Sequence, residues 1–125
     1  MARLLVVDDE PLIALNTSEV LMDCDHSVVG PAYRLETALA FAREEALDGA
    51  ILDIHLAGSQ VWPVAQILAG RGIAFLLLSG LGSALEVPRA FSRAPRLTKP
   101  YSEAQLLSAV ADMLRQGALA PMESD

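Results

Sequence analysis

The residues best suited to chemistry in this chain are three acids, a hydroxyl and a lysine, each placed at the end of a short apolar run. In chain order they are Asp8, Asp9, Asp53, Ser79 and Lys99. Three carboxylates brought together would repel one another, since two unit charges ~4 Å apart cost about 4 kcal/mol at an effective dielectric near 20. A hard divalent cation such as Mg2+ removes this conflict, because it binds carboxylates, water and phosphate oxygens. With a lysine and a hydroxyl beside the metal, the set is suited to phosphoryl transfer onto a carboxylate.

The roles within this set follow from position. Asp53 is the candidate nucleophile, because it stands alone at the end of the third apolar run, which would be the middle strand. Asp8 and Asp9 are adjacent, so one can bind a metal directly and the other through water. Taken alone, Asp8-Asp9-Glu10 could instead be a helix N-cap favoured by the helix dipole, and Lys99 a solvated loop lysine. Their joint placement at strand ends favours the functional interpretation.

The apolar runs alternate with segments of helical periodicity, and this alternation predicts the fold. The runs are Leu4 to Val7, His26 to Ala32, Ala50 to Leu52, Ile73 to Leu78 and Pro95 to Thr98. Uninterrupted apolar runs are typical of strands that are buried on both faces. Strands that alternate with helices indicate a parallel sheet with right-handed crossovers. We therefore predict a flavodoxin-like α/β fold, a doubly wound (βα)5 arrangement in which helices cover both faces of a five-stranded parallel sheet.

This fold would bring the polar residues at the run ends together. In an open parallel sheet the carboxyl ends of the strands lie along one edge, where ligands bind near the reversal of strand order. Residues as distant in sequence as Asp8 and Lys99 are therefore expected to converge. The second run ends at Ala32 without a polar group, which predicts that its strand lies at an edge of the sheet.

Several residues mark where helices begin and end. Pro11 and Pro63 suit the first turn of a helix, where a missing N–H costs nothing. Ser102 and Gln105 have the spacing of a capping box, which starts the last helix. That helix is expected to end at Gly117.

Two segments carry a weaker pattern. Residues 81–93 are weakly helical at best, because Gly82 and Pro88 oppose a helix. Residues 118–125 are expected to be a flexible C-terminal tail, which leaves residues 1–117 as a single domain.

Composition narrows the class of protein. The net charge is −7, and the nine Lys and Arg residues form no basic run. Binding to nucleic-acid backbones needs a basic stripe, so a nucleic-acid partner is not expected. The apolar run before Asp8 is too short for a signal peptide or a membrane span. The only cysteine, Cys24, cannot form an intrachain disulfide, and together these features favour the cytoplasm.

Four segments together resemble two-component response-regulator receiver domains. They are Leu5-Val6-Val7-Asp8-Asp9-Glu10-Pro11, Leu52-Asp53-Ile54-His55-Leu56-Ala57-Gly58, Ser79-Gly80 and Lys99-Pro100-Tyr101. The resemblance covers residues 3 to about 116. It implies that the chain is a phosphorylation switch that catalyses its own phosphorylation and dephosphorylation. The phosphoryl group would come from a histidine kinase or a phosphotransfer protein.

The resemblance also implies residue roles at the metal. Asp53 is expected to be the phosphoacceptor, taking phosphate from a kinase phosphohistidine. Asp9 and Asp53 are expected to bind Mg2+ directly, together with the backbone carbonyl of His55. Asp8 would act through water.

Further roles concern the phosphoryl group itself. By the same resemblance, the Ser79 hydroxyl, the Gly80 backbone and the Lys99 ammonium would contact phosphoryl oxygens. The Lys99–Pro100 bond would be a cis peptide.

A narrower similarity concerns the fourth strand. Residues 72–82 are similar to the signature of the "FAT GUY" subgroup, which is often single-domain and works with HWE or HisKA2-type kinases. The signature is partial, because Leu81 stands where an aromatic residue is usual. In addition, Arg96 occupies the position of the usual aromatic switch residue. A different readout is therefore expected, and a mobile segment over residues 81–93 that orders on phosphorylation is one hypothesis.

Other interpretations remain open. The chain could be a receiver module of a longer regulator or hybrid kinase, although the start at Met1 and the polar tail favour a single-domain protein, with a monomer slightly favoured. A flavin-binding protein would need a phosphate-binding Ser/Thr/Gly loop after the first strand. A small α/β phosphatase would need an Asp-x-Asp pattern there. Asp8-Asp9-Glu10 supplies neither.

Three remaining residues are assigned to packing or exposure. Cys24 is predicted to lie on an apolar helix face with Leu12, as a core residue. Trp62 is expected to pack along a helix face. The side chain of His55 is expected to be exposed beside the site.

Overall fold

The chain alternates strands and helices in a computed structural model that describes residues 1–80 and 87–117. The strands are β1 (Arg3–Val7), β2 (Ser27–Ala32), β3 (Gly49–Asp53), β4 (His55–Leu56), β5 (Ser59–Gln60), β6 (Ala74–Ser79) and β7 (Arg96–Thr98). The helices are α1 (Pro11–Asp23), α2 (Leu35–Glu44), α3 (Trp62–Gly70) and α4 (Glu103–Gln116). A 3-10 turn at Arg89–Phe91 precedes β7.

Five of these strands form one parallel sheet in the order β2-β1-β3-β6-β7. The predicted fold is confirmed, and β3, which ends at Asp53, is the central strand as expected. The strand β2 lies at the edge, which confirms the prediction from its nonpolar end. Val7 of β1 pairs with Leu52 of β3, and Leu52 pairs with Leu77 of β6. These registers align the carboxyl ends of the three strands.

Helices cover both faces of this sheet. Successive strand residues point to opposite sides, so an uninterrupted apolar strand presents an apolar surface on each face. On one face, residues such as Leu5, Val7 and Leu52 pack against α2 and α3. On the other face, Leu4 and Ile51 pack with residues of α1 and α4. Both rows are fully buried. Each such side chain contributes about 1.5–3 kcal/mol on burial, so the sheet residues hold both helix layers in place.

The predicted helix starts are confirmed. Pro11 and Pro63 lie in the first turns of α1 and α3. At α4, the Gln105 N–H donates to Ser102 Oγ at 3.1 Å, and the Ser102 N–H donates to Gln105 Oε1 at 2.8 Å. This reciprocal capping box satisfies two N–H groups that the helix itself leaves unpaired.

The predicted apolar face of α1 is wrong at two residues. Cys24 is exposed, because α1 ends at Asp23 and Cys24 is its C-cap. Leu12 is 83% exposed. The buried face of α1 instead includes Ala14, Thr17 and Leu21. At 3.6 residues per turn, these positions stack on one side of the helix and leave Leu12 on another.

Two features of the described chain were not predicted, and parts of two predictions remain untested. The short strands β4 and β5 form an antiparallel hairpin directly after Asp53. In the weakly helical segment, a 3-10 turn forms at Arg89–Phe91. Residues 81–86 of that segment lie outside the described residues, as does the predicted tail at 118–125. Within the described ranges, no helix is long and apolar enough to cross a membrane.

Candidate functional site

Three acids converge at the carboxyl edge of the sheet, as their positions after β1 and at the end of β3 predict. Asp8, Asp9 and Asp53 each place one carboxylate oxygen within 4.8 Å of the others. Asp8 and Asp53 are buried, at 1% and 6% exposure, whereas Asp9 is half-buried. Buried carboxylates require compensation by a cation or by hydrogen bonds. The site must therefore recruit positive charge.

Lys99 supplies part of that charge. It follows β7, where its backbone N–H donates to the Ser79 carbonyl at 2.8 Å. The Lys99 Nζ lies 3.1 Å from both Asp8 Oδ2 and Asp53 Oδ2. It also lies 3.4 Å from Glu10 Oε1. The peptide bond between Lys99 and Pro100 is cis, as the resemblance implied.

The pKa of Asp53 is strongly displaced. Burial and the neighbouring Asp8 charge raise it from 3.8 to about 7, and the attraction of Lys99 only partly opposes this. Burial alone would lower the pKa of Lys99, but the Asp53 and Asp8 charges outweigh burial and raise it. Lys99 therefore stays cationic at neutral pH, while Asp53 holds a proton more readily than an ordinary aspartate. One ammonium does not offset the charge of the acids around it.

The donor set fits a hard divalent cation. Asp8 Oδ2 is buried and accepts no hydrogen bond within the described part of the chain. Its 3.1 Å contact with Lys99 Nζ is an ion pair. The side-chain atoms of this cluster that could bind a metal are all carboxylate oxygens, which are ligands that Mg2+ prefers. A bound cation would satisfy Asp8 and favour the ionised form of Asp53.

His55 lies beside this cluster in the predicted manner. Its side chain is exposed, and its backbone N–H donates to Asp53 Oδ1 at 3.4 Å. The main chain therefore passes close to Asp53 at this residue. The role of the His55 carbonyl as a metal ligand stays a prediction.

Ser79 and Gly80 lie at the end of β6, next to the strand that carries Asp53. Ser79 is buried and pairs with Thr98 of β7. Its backbone carbonyl accepts a hydrogen bond from the Lys99 N–H. The predicted contacts of Ser79 and Gly80 with a phosphoryl group stay predictions.

Sequence reasoning missed two contacts of the site. Glu10 is the N-cap residue of α1, but its side chain makes no capping bond and turns to Lys99. The other contact is a hydrogen bond from the Ala57 N–H to Asp9 Oδ2 at 2.9 Å. Only the three-residue string Asp8-Asp9-Glu10 gave a signal for the first contact. No signal existed for the second, because it joins residues 48 positions apart through a backbone group.

Near Lys99, the side chains of Arg96 and Tyr101 have different surroundings. Arg96 is exposed and donates to the Ser92 carbonyl at 3.4 Å. Tyr101 is half-buried, and its hydroxyl lies 3.0 Å from Thr17 Oγ1 of α1. Burial raises the pKa of Tyr101, although the hydrogen bond with Thr17 opposes this rise.

Known structures identify the family. The chain matches the solution structure of SdrG from Sphingomonas melonis Fr1 at 36% identity and a TM-score of 0.79, over 91% of this chain and 97% of SdrG. It matches a response regulator receiver protein from Sinorhizobium medicae WSM419 at 27% identity and a TM-score of 0.78, over 90% and 94%. The chain belongs to the response-regulator receiver domains. No protein-family model and no curated protein sequence matches it.

The receiver domain also resembles part of a longer protein. It matches the response regulator PhyR from Brucella abortus at 27% identity and a TM-score of 0.75. The match covers 92% of this chain and 48% of PhyR. The receiver domain thus spans about half the length of that protein.

Proposed function

We propose that this receiver domain is a Mg2+-dependent phosphorylation switch in which Asp53 accepts a phosphoryl group from a histidine kinase. One observation carries the proposal: the Asp53 carboxylate lies 3.1 Å from the Lys99 ammonium and within 4.8 Å of the Asp8 and Asp9 carboxylates. A nucleophile, a fixed cation and a set of metal-binding acids therefore meet at one point. This combination stabilises the charge that phosphoryl transfer spreads over the transferred oxygens.

The residues would divide the work as follows. Asp9, Asp53 and the His55 carbonyl would hold Mg2+ directly, and Asp8 through water. The metal would supply positive charge beside the transferred phosphoryl group. Lys99 already contacts Asp53. It would contact the phosphoryl oxygens once negative charge develops on them.

The covalent step uses Asp53 alone. One carboxylate oxygen attacks phosphorus as the bond to the donor histidine nitrogen breaks, and the electron pair of that bond stays on the imidazole. Asp53 must be ionised for this step, so the cations that oppose its raised pKa also prepare the nucleophile. The Ser79 hydroxyl and the Gly80 N–H would bind phosphoryl oxygens.

The biological setting is proposed from the family. The partner would be a histidine kinase, of HWE or HisKA2 type if the FAT GUY signature holds, or a phosphotransfer protein. The domain would act in the cytoplasm as a monomer. It would serve as a switch, a phosphate carrier or a phosphate sink. A module of a longer regulator is the second candidate, because the similar part of PhyR accounts for 48% of that chain.

Beryllofluoride tests the proposal directly, since SdrG has a BeF3-activated conformation. We expect amide shifts around Asp53 on adding beryllofluoride with Mg2+, and a phosphoryl mass increase with acetyl phosphate. Both should need Mg2+ and disappear in Asp53→Ala. The matched control is Asp23→Ala, which removes an exposed acid at the end of α1. A wild-type protein without any Mg2+-dependent response would contradict the proposal.

A further inference from the structure

The hairpin after Asp53 contains a residue in an unfavourable backbone conformation. Strands β4 and β5 are joined by Ala57 and Gly58, whose φ angles are 46° and 91°. Positive φ at both central residues is typical of a type I′ turn. Glycine adopts this conformation freely, but alanine does so at a cost because of its Cβ. Asp25 is the one other non-glycine residue with positive φ in the described ranges, and aspartate tolerates it better.

This conformation aims the Ala57 N–H at the metal-binding cluster. The N–H donates to Asp9 Oδ2 at 2.9 Å. The other two acids of the cluster, Asp8 and Asp53, are each 3.1 Å from the Lys99 ammonium. The Ala57 amide therefore hydrogen-bonds Asp9, whereas Lys99 pairs with the other two acids. Strained residues that persist beside a functional site are often held there because their strain serves the site.

We propose that the Ala57 N–H positions the Asp9 carboxylate for the metal, so that the β4–β5 hairpin is part of the Mg2+ site. This inference rests on the proposed function, because it concerns the same cation. A carboxylate offers about four lone-pair sites, so Asp9 can accept the N–H and bind the metal at once. The hydrogen bond fixes the carboxylate before the metal arrives. Losing an outer partner of this kind weakens metal affinity about 10–100-fold.

The sharpest test replaces the Ala57 N–H by an oxygen atom, which cannot donate a hydrogen bond. Replacing Ala57 by its α-hydroxy analogue changes the amide to an ester and keeps the methyl side chain. We expect the ester protein to bind Mg2+ at least about 10-fold more weakly than wild type, in titrations followed by amide shifts and Trp62 fluorescence. The matched control is Ala57→Gly, which keeps the N–H and suits a positive φ. Its dissociation constant should stay within about threefold of wild type.

A second measurement needs no metal and no ester. In the full chain without Mg2+, Asp9→Ala should accelerate hydrogen exchange of the Ala57 amide about 10-fold, whereas Asp23→Ala should leave it unchanged. Unchanged exchange in Asp9→Ala would show that the bond is not formed in solution and would overturn the inference.

The two proposals fail in different ways. If wild type binds no Mg2+, the proposed function fails and this inference fails with it. If wild type binds Mg2+ and the ester protein binds it within twofold, only the role of Ala57 is overturned. A tighter-binding ester protein would also overturn it, since the N–H would then compete with the metal.

Discussion

Asp53 and Lys99 define the chemistry of the site. Burial disfavours the charged form of each side chain, and the opposite charge of the other side chain favours it. Asp53 loses hydration at the end of the central strand, and this raises its pKa. Lys99 loses hydration too, but the acids around it keep it protonated. In this buried pair, Lys99 only partly offsets the effect of burial and of Asp8 on Asp53. Removing Lys99 should therefore have a measurable cost.

The raised pKa of Asp53 should make the stability of the domain depend on pH. The pKa of Asp53 is 3.8 as a free side chain and about 7 in the folded protein. Between these values the folded state keeps a proton that the unfolded chain has lost, so this residue makes stability fall as pH rises. Without Mg2+, we expect Asp53→Asn to be about 2 kcal/mol more stable than wild type at pH 8, with little difference at pH 4.

Denaturant unfolding in EDTA at both pH values provides the measurement. Other acids also titrate in this range, so the relevant quantity is the difference between the two proteins at each pH. A difference that is the same at pH 4 and pH 8 would contradict the raised pKa.

The Lys99 ammonium should stabilise the domain through its contacts with two buried acids. Lys99→Met removes the ammonium within 3.1 Å of Asp8 and Asp53. We expect a loss of about 2 kcal/mol at pH 7 without metal, less than the full cost of an unpaired buried charge because Asp53 can take up a proton. Saturating Mg2+ should restore part of this loss. The control is Arg93→Met at an exposed position, and an equal effect there would contradict a specific role for Lys99.

At the scale of elements, side-chain contacts join parts of the fold that are far apart in sequence. Tyr101 follows the cis Lys99–Pro100 bond and connects to α1 through Thr17. On the other side of the sheet, Phe91 of the 3-10 turn stacks on Trp62 of α3, with ring centres 5.8 Å apart. The helix-face packing predicted for Trp62 is confirmed, and it also holds the residues before β7.

The contact between Tyr101 and Thr17 should couple α1 to the loop that carries Lys99. We expect Tyr101→Phe to lose about 1 kcal/mol, because it leaves the buried Thr17 hydroxyl without this partner. Thr17→Val should lose a similar amount, and the double variant should lose less than the sum. Denaturant unfolding of all four proteins measures the coupling. Strict additivity would show that the hydroxyls do not interact.

The ring contacts of Phe91 should stabilise the 3-10 turn before β7. Phe91 stacks on Trp62 and meets Phe75 edge-on, again with ring centres 5.8 Å apart. We expect Phe91→Ala to lose about 2 kcal/mol, because the half-buried Phe91 side chain would lose both ring contacts. Phe91→Leu should lose less, since it keeps most of the apolar volume. Equal losses for both variants would mean that apolar volume contributes little.

At the scale of the whole molecule, Mg2+ binding should stabilise a domain whose net charge is −7 and whose acids meet at one edge. A ligand at ten times its dissociation constant stabilises the folded state by about 1.4 kcal/mol. For a domain of this size, we expect a rise of about 3–6 °C in the unfolding temperature. Asp9→Ala should abolish the rise. A rise of equal size in that variant would place the bound cation elsewhere.

Sequence patterns predicted the architecture and the positions at which the acids and Lys99 converge. Uninterrupted apolar runs predicted the buried strands. The absence of a polar residue at the end of the second run predicted that its strand lies at an edge of the sheet. A polar residue at the end of a parallel strand must lie at the carboxyl edge. The convergence of Asp8, Asp53 and Lys99 could therefore be predicted from the sequence. These predictions hold because they depend on strand periodicity and sheet topology, which sequence patterns record directly.

The contacts that each group makes depend on how the elements pack, and sequence patterns did not predict them. The exposure of Cys24 and Leu12 depends on how α1 rotates against the sheet, and apolar spacing alone gave the wrong face. The turn of Glu10 toward Lys99 results from the electrostatics of the assembled site. The hydrogen bond between Ala57 and Asp9 is donated by a backbone N–H. Every residue except proline carries this group, so the residue type at position 57 does not predict the bond. Where a contact depends on backbone groups or helix rotation, it is fixed only when the elements pack.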